Sequence, residues 1–155
     1  MELPASERES KYVIFALIFM LSNKLQTIGD SFFAEVSTKQ WFILLVLGIM
    51  GDHTPTLSEL SEAVGSSHQN VKQLVLKLEQ KGYVEIAKDA EDARRLRIKA
   101  TPKSQEFEQE YHEKSAVFMD RLFGQFEDDD LKTTEKLMLS MRTILEGMEK
   151  DYVRQ

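Results

Sequence analysis

Between Thr56 and Gly82 the chain spells two short helices with a stop between them, and that pair constrains the fold more than any other feature. Thr56-Leu57-Ser58-Glu59 has capping-box spacing, with a hydroxyl at the N-cap and a Glu three residues on. The helix it opens runs through Val64 and is stopped by Gly65. Ser66 or Ser67 can cap a second helix reaching about Lys81, with Gly82 as its stop. In this second helix Val71, Leu74, Val75 and Leu78 fall on one face, at i, i+3, i+4 and i+7. Gln69, Lys72, Gln73 and Leu76 occupy the opposite face, with Asn70 and Lys77 on its flank. Two short helices joined by a three-residue turn read as a helix-turn-helix.

The texture then changes from helical to extended. Tyr83–Lys88 alternates enough for a strand, and Leu96-Arg97-Ile98-Lys99 alternates strictly, apolar then basic. The polar stretch Asp89–Ala93 between them makes a β-hairpin the natural reading. Thr101-Pro102 predicts a further helix, with a capping hydroxyl before a first-turn Pro, running to about Phe123 and broken at Gly124. Glu127–Asp130 places acids at the start of a last helix, where they favour its dipole. Upstream, Ser37-Thr38-Lys39-Gln40 is another capping box, followed by apolar Trp41–Met50 and Gly51. A first helix is read from about Glu7 to Gly29. The expected fold is mainly α with a small β-hairpin wing. A winged helix-turn-helix DNA-binding lobe over 37–101 sits in a single 1–155 domain, and helices at 7–30 and 102–152 form a dimerisation region.

Composition narrows the chemistry. A chain of 155 residues can bury a core without staples. It has no cysteine, which removes disulfides, thiolate zinc sites, iron–sulfur ligation and thiol catalysis. Three Pro and seven Gly are too few for an all-β fold of this length. The net charge of −6 argues at first against nucleic acid. Resolved along the chain it does the opposite. Residues 66–103 hold nine Lys and Arg against five acids, a net of +4, which leaves −10 on the remainder. Affinity for DNA follows local phosphate neutralisation rather than the whole-chain sum.

The most apolar run, Tyr12–Leu21, spans ten residues, short of the roughly 20 needed to cross a bilayer. Mixed charges precede it and no small-residue cleavage site follows, so neither export nor a membrane is expected, and the chain is read as cytoplasmic. It reads instead as the middle of a buried helix, apolar on all faces and therefore central to a domain or sandwiched in an oligomer. Leu137, Met141, Ile144, Leu145, Met148 and Tyr152 form a second apolar stripe. A winged-helix core cannot cover both surfaces, so a two-fold homodimer is expected to bury them through Tyr12, Phe15, Phe19, Met141, Ile144, Leu145, Met148 and Tyr152.

The stretch Ser37–Ser104 resembles the MarR (multiple antibiotic resistance regulator) family of dimeric winged-helix transcription factors. The residues that carry the resemblance are Gln40-Trp41, Thr56–Gly65, Ser67–Glu79, Gln80–Val84 and Asp92-Ala93-Arg94-Arg95. Their order and spacing, more than any one piece, carry it, and the flanking long helices extend it over nearly the whole chain. Two positions depart from the family pattern. Ala93 stands where a basic residue is frequent, and Ala100-Thr101-Pro102-Lys103-Ser104 replaces a Leu-Thr-x-x-Gly.

The resemblance implies a repressor binding double-stranded DNA as a homodimer on a palindromic operator, with recognition helices roughly 34–36 Å apart. Ser67, His68, Gln69, Asn70, Lys72, Gln73 and Lys77 are the expected contacts of the recognition helix. Gln and Asn are suited to adenine, whereas Leu76 either touches a thymine methyl or packs at the helix edge. In the wing, the resemblance sends Arg94 into the minor groove with Asp92 bracing it and Arg95 alongside. It also implies a small aromatic or amphipathic effector between the dimer helices and the DNA-binding lobe, near Tyr12, Phe15, Phe19 and Trp41. Such a ligand would stabilise a dimer whose recognition helices no longer match the operator.

Other constellations are weaker. Glu108 and His112 stand at i and i+4 without a second suitably placed His, so no metal and no cofactor is expected. Asp128–Asp130 reads as helix capping, and Asp52-His53 has no nucleophile nearby. Without a phosphate loop or triad, an enzyme is not expected. The competing reading is a winged-helix protein–protein module that does not bind DNA.

Overall fold

The computed structural model describes residues 10–92 and 94–152, with the side chain of Lys150 set aside. Glu7–Glu9, included in the expected first helix, and Ala93, at the centre of the wing motif, lie outside the described residues. The chain forms α1 (Ser10–Phe33), α2 (Thr38–Met50), α3 (Leu57–Ala63), α4 (His68–Gln80), β1 (Val84–Lys88), β2 (Leu96–Ala100), α5 (Pro102–Phe123) and α6 (Asp128–Tyr152). This is the mainly helical fold with a two-stranded hairpin expected above. The described residues pack as two compact units that divide between Gln109 and Glu110, inside α5.

The first unit is built on caps where the sequence places them. Ser37 and Thr56 each accept the N–H of the residue three on, and Gln40 and Glu59 reach back to the cap N–H, completing both boxes. Gly65 and Gly82 take φ of +63° and +78°, the left-handed backbone that ends a helix without a Cβ penalty. α4 packs against α2, α3 and β1. Val71, Val75 and Leu78 from α4 are buried with Leu57, Leu60, Ile43, Leu47, Tyr83, Val84 and Ile98. β1 and β2 pair antiparallel, Ile86 opposite Ile98 and Lys88 opposite Leu96. A third segment joins their edge: Thr56 bridges Arg97, and the Ile98 N–H donates to the Pro55 carbonyl at 2.9 Å.

Three local expectations change. Gly29 does not end the first helix, which continues to Phe33. The reason is a close approach: the Thr38 side chain sits on Gly29, and a Cβ there would collide with Thr38 Oγ1. That corner is fastened by Asp30, which accepts the Thr38 N–H at 2.6 Å and its hydroxyl at 2.8 Å. Ala34, with φ of +48°, turns the chain out of α1. Thr101, expected to cap α5 by accepting a backbone N–H, instead donates its hydroxyl to the Gly82 and Tyr83 carbonyls. It thereby ties the start of α5 to the end of α4.

The third change concerns the apolar run. Within one chain it is not the middle of a buried helix: Tyr12 is 68% exposed, Phe15 64% and Phe19 59%. Of α1, the buried residues are Gly29 and Phe33, at its C-terminal end. The helix is also longer than the ten-residue run, and its 24 residues are long and apolar enough to cross a membrane by length and composition alone. Of the two environments expected from the sequence, the middle of a buried helix within one chain is therefore not the one found.

In the second unit α6 begins with Asp128, Asp129 and Asp130 in its first turn, where negative charge meets the helix dipole. Leu137, Ile144, Leu145, Met148 and Tyr152 are exposed along it.

Candidate nucleic-acid interface

The face of α4 opposite its core stripe is polar and open. Ser67 Oγ accepts the Asn70 N–H, setting the first turn, and the Asn70 side-chain amide donates to Ser66 Oγ at 2.8 Å. His68, Gln69, Asn70, Lys72, Gln73 and Lys77 are all exposed, and Leu76 is half-buried at the edge of that face. α4 is held to the hairpin by Glu79, whose carboxylate accepts the Ile86 N–H at 3.0 Å.

The basic surplus of this region divides in two when its partners are traced. Lys81 donates to the Glu35 carbonyl at 2.6 Å and lies 3.4 Å from Gln40 Oε1. Lys103 donates to the Lys81 carbonyl and sits 4.5 Å over the Tyr83 ring. Tyr83, itself buried, donates its hydroxyl to Glu35 at 2.5 Å. These lysines hold the α1–α2 turn, the end of α4 and the start of α5 together. Lys72, Lys77, Lys88, Arg94, Arg95 and Lys99 remain exposed as the charges available to a polyanion.

The wing is organised by two aspartates with different tasks. Asp92 Oδ1 accepts both the Arg94 backbone N–H (3.0 Å) and Arg94 Nε (3.2 Å), while its Oδ2 lies 3.6 Å from Arg95 Nε. The Arg94 side chain is nevertheless 93% exposed. Asp89 works inside: its carboxylate accepts the N–H groups of Glu91 (2.8 Å) and Asp92 (3.0 Å) and pairs with Arg97 Nε. Those backbone donors, followed by Arg97, pull its pKa down from 3.8 to about 2, against the opposing effect of burial. Arg97 Nη1 donates in turn to the Thr54 carbonyl at 2.7 Å.

Sequence reasoning passed over Asp89 and Arg97. Strict alternation puts Arg97 on the solvent face of β2 beside Lys99, yet the hairpin meets a third segment there. The available signal was the Asp89-x-x-Asp92 spacing, since an Asp side chain readily accepts the N–H groups two and three residues on.

The residues expected around an effector do not converge within one chain. Trp41 is half-buried and stacked on Phe33, ring centroids 4.7 Å apart. Phe15 and Phe19 form their own edge-to-face pair on α1, and Phe19 lies about 21 Å before Phe33 along the helix at 1.5 Å per residue. Among the described residues no group of three or more His, Cys, Asp or Glu could hold a metal ion, so Glu108 and His112 gain no further ligand.

Residues 35–95 match the family model described as MarR family. The transcriptional repressor MprA of Escherichia coli (strain K12) is 28% identical over 110 residues, 71% of this chain and 62% of that protein. The chain therefore spans less than two thirds of that curated relative. A MarR protein from Peptoclostridium difficile DA00132 superposes with a TM-score of 0.80 at 23% identity, covering 96% of this chain and 95% of that one. The S. aureus MepR–DNA complex gives 0.75 at 19% identity, covering 88% and 98%. These structural likenesses establish a shared fold. Residues 35–95 are thus similar to the MarR family, within a fold that solved structures share over nearly the whole chain.

Proposed function

We propose that this chain is a sequence-specific double-stranded DNA-binding transcriptional repressor that acts as a homodimer on a palindromic operator. The observation that carries the reading is the exposed polar and basic face of α4 beside a wing whose outermost Arg94 is held by Asp92. Ser67, His68, Gln69, Asn70, Lys72, Gln73 and Lys77 face the major groove in this reading, while Arg94 and Arg95 reach the minor groove. The MepR relative was solved with DNA and the MprA relative is named a repressor, which supports the assignment.

The exposed apolar faces of α1 and α6 support the homodimer. A lobe over 37–101 flanked by dimerisation helices at 7–30 and 102–152 follows from the same reading. A small aromatic or amphipathic effector is proposed to bind near Tyr12, Phe15, Phe19 and Trp41. Since Trp41 and Phe19 are well separated on one chain, those residues meet in one site only if the dimer supplies part of it.

The test is selection of bound duplexes from random sequence, with the salt dependence of binding measured on the winner. A palindromic consensus and a steep salt slope are expected, and Lys72→Ala should lower the slope by about one unit if it contacts a phosphate. Salt-insensitive or undetectable duplex binding would instead favour a protein–protein module.

A further inference from the structure

The wing and the helix-turn-helix are separate in sequence, yet one side chain spans them. Arg97 directs Nε to Asp89, in the turn of the hairpin, and Nη1 to the carbonyl of Thr54. Thr54 belongs to the segment that bridges β2 and runs into Thr56, the N-cap of α3. Asp89 is the other half of the brace. With a side chain only 6% exposed, it also takes the N–H groups of Glu91 and Asp92. Asp92 is the residue that holds Arg94 and Arg95, and the Arg95 carbonyl accepts the Asp89 N–H at 2.9 Å. The hydrogen-bonded path thus runs from Thr54 to the Arg94 side chain, and at its centre the Asp89 carboxylate is shielded from water while Arg97 stays partly open. Charge-assisted bonds whose acceptor is buried in this way fix geometry more firmly than fully exposed pairs.

We propose that Asp89 and Arg97 are positioning residues for DNA binding. The two-pronged Arg97 guanidinium locks the wing to the strand entering the helix-turn-helix, so that Arg94 is presented to DNA in one pose relative to α4. The proposal rests on the DNA-binding reading above for its consequence, though not for the brace itself. A lysine cannot replace the fork, because its single ammonium cannot serve the Asp89 carboxylate and the Thr54 carbonyl with the same planar geometry.

Two measurements on the full chain test it, with Arg97→Ala, Arg97→Lys and Asp89→Asn as variants so that poor folding of one does not decide the outcome. The first needs no DNA. Amide hydrogen exchange at Arg94 and Arg95 should accelerate about tenfold or more, while the amides of Val71, Val75 and Leu78 keep their protection. Unchanged wing amides would overturn the proposal. The second is a double-mutant cycle on the selected duplex at fixed salt. Arg94→Ala should cost about tenfold in the parent and less than about twofold in the Arg97 variants, whereas Lys72→Ala should cost the same factor in both. Equal Arg94→Ala factors in parent and variant would overturn the positioning role, as would full parental behaviour of Arg97→Lys. If the parent binds no duplex, the functional reading falls, while hydrogen exchange still decides whether the brace holds the wing.

Discussion

α4 and α1 are both helices rich in apolar residues, yet the chain completes one and leaves the other open. α4 carries a single stripe, and Val71, Val75 and Leu78 disappear entirely into the lobe while the opposite face stays polar and exposed. α1 is longer and apolar all round over Tyr12–Leu21, but most of that stretch is exposed in the isolated chain. The difference lies in how many faces need covering. A one-sided stripe is satisfied by one packing partner, whereas an all-round apolar helix needs neighbours on every side, and one small lobe cannot supply them. The α4 pattern is that of an element finished by its own fold, whereas α1 leaves its apolar residues uncovered within the chain, as the proposed dimer requires.

The sharpest way to break this contrast is to charge the α1 surface. The double substitution Phe15→Asp and Phe19→Asp should convert the proposed dimer to a monomer by light scattering. It should also weaken operator binding by about 100-fold or more, since two linked half-sites bind with an avidity that one loses. An unchanged mass would show that this face does not assemble. On the α4 side, Leu78→Ala removes a fully buried side chain and should cost about 2–5 kcal/mol of unfolding free energy in a denaturant titration. Exposed Leu137→Ala should cost a comparable amount only where the dimer is populated, so its loss should depend on protein concentration.

Acid should act on the lobe and on the corner where Asp30 of α1 meets it. Asp89 is depressed to about 2 by the N–H groups of Asp92 and Glu91 and by Arg97. Glu59 is lowered by the Thr56 N–H and hydroxyl, and Asp30 by those of Thr38. Each binds its proton more weakly folded than unfolded, so its contribution is complete above the unfolded pKa near 4 and is lost as pH falls toward the folded value. Urea midpoints should therefore decline between about pH 4 and pH 2, less steeply in Asp89→Asn. A decline that is equally steep in that variant would remove Asp89 as a source. The smallest effect is expected at the turn that leaves α1. Ala34→Gly relieves a left-handed Ala at φ +48° and should stabilise by up to about 1 kcal/mol, read as a small rise in melting temperature.

Much of the lobe was legible because its signals are local. The boxes at Ser37 and Thr56, the stops at Gly65 and Gly82 and the core face of α4 each depend on residues within about a turn of one another. The exposed face of α4 follows from the same short spacings, whereas the Asp92–Arg94 pair is what the family resemblance implies. Gly29 reads as a helix stop by itself, and only the arrival of Thr38 turns it into a close-packing site inside α1. Thr101 has a good capping sequence, but carbonyls at the end of α4 take its hydroxyl instead.

The sequence by itself determined the order of helices and hairpin, which face of α4 is apolar, and the basic middle within an acidic chain. Periodicity, capping and charge are properties of neighbouring residues and need no tertiary partner to be read. Tertiary structure alone decided that Lys81 and Lys103 serve as internal ties and that Arg97 is the bridge between wing and helix-turn-helix. It also decided that Tyr12, Phe15 and Phe19 remain uncovered within the chain. Burial and ion pairing depend on groups brought close from distant parts of the chain, and no local spacing encodes which groups those will be.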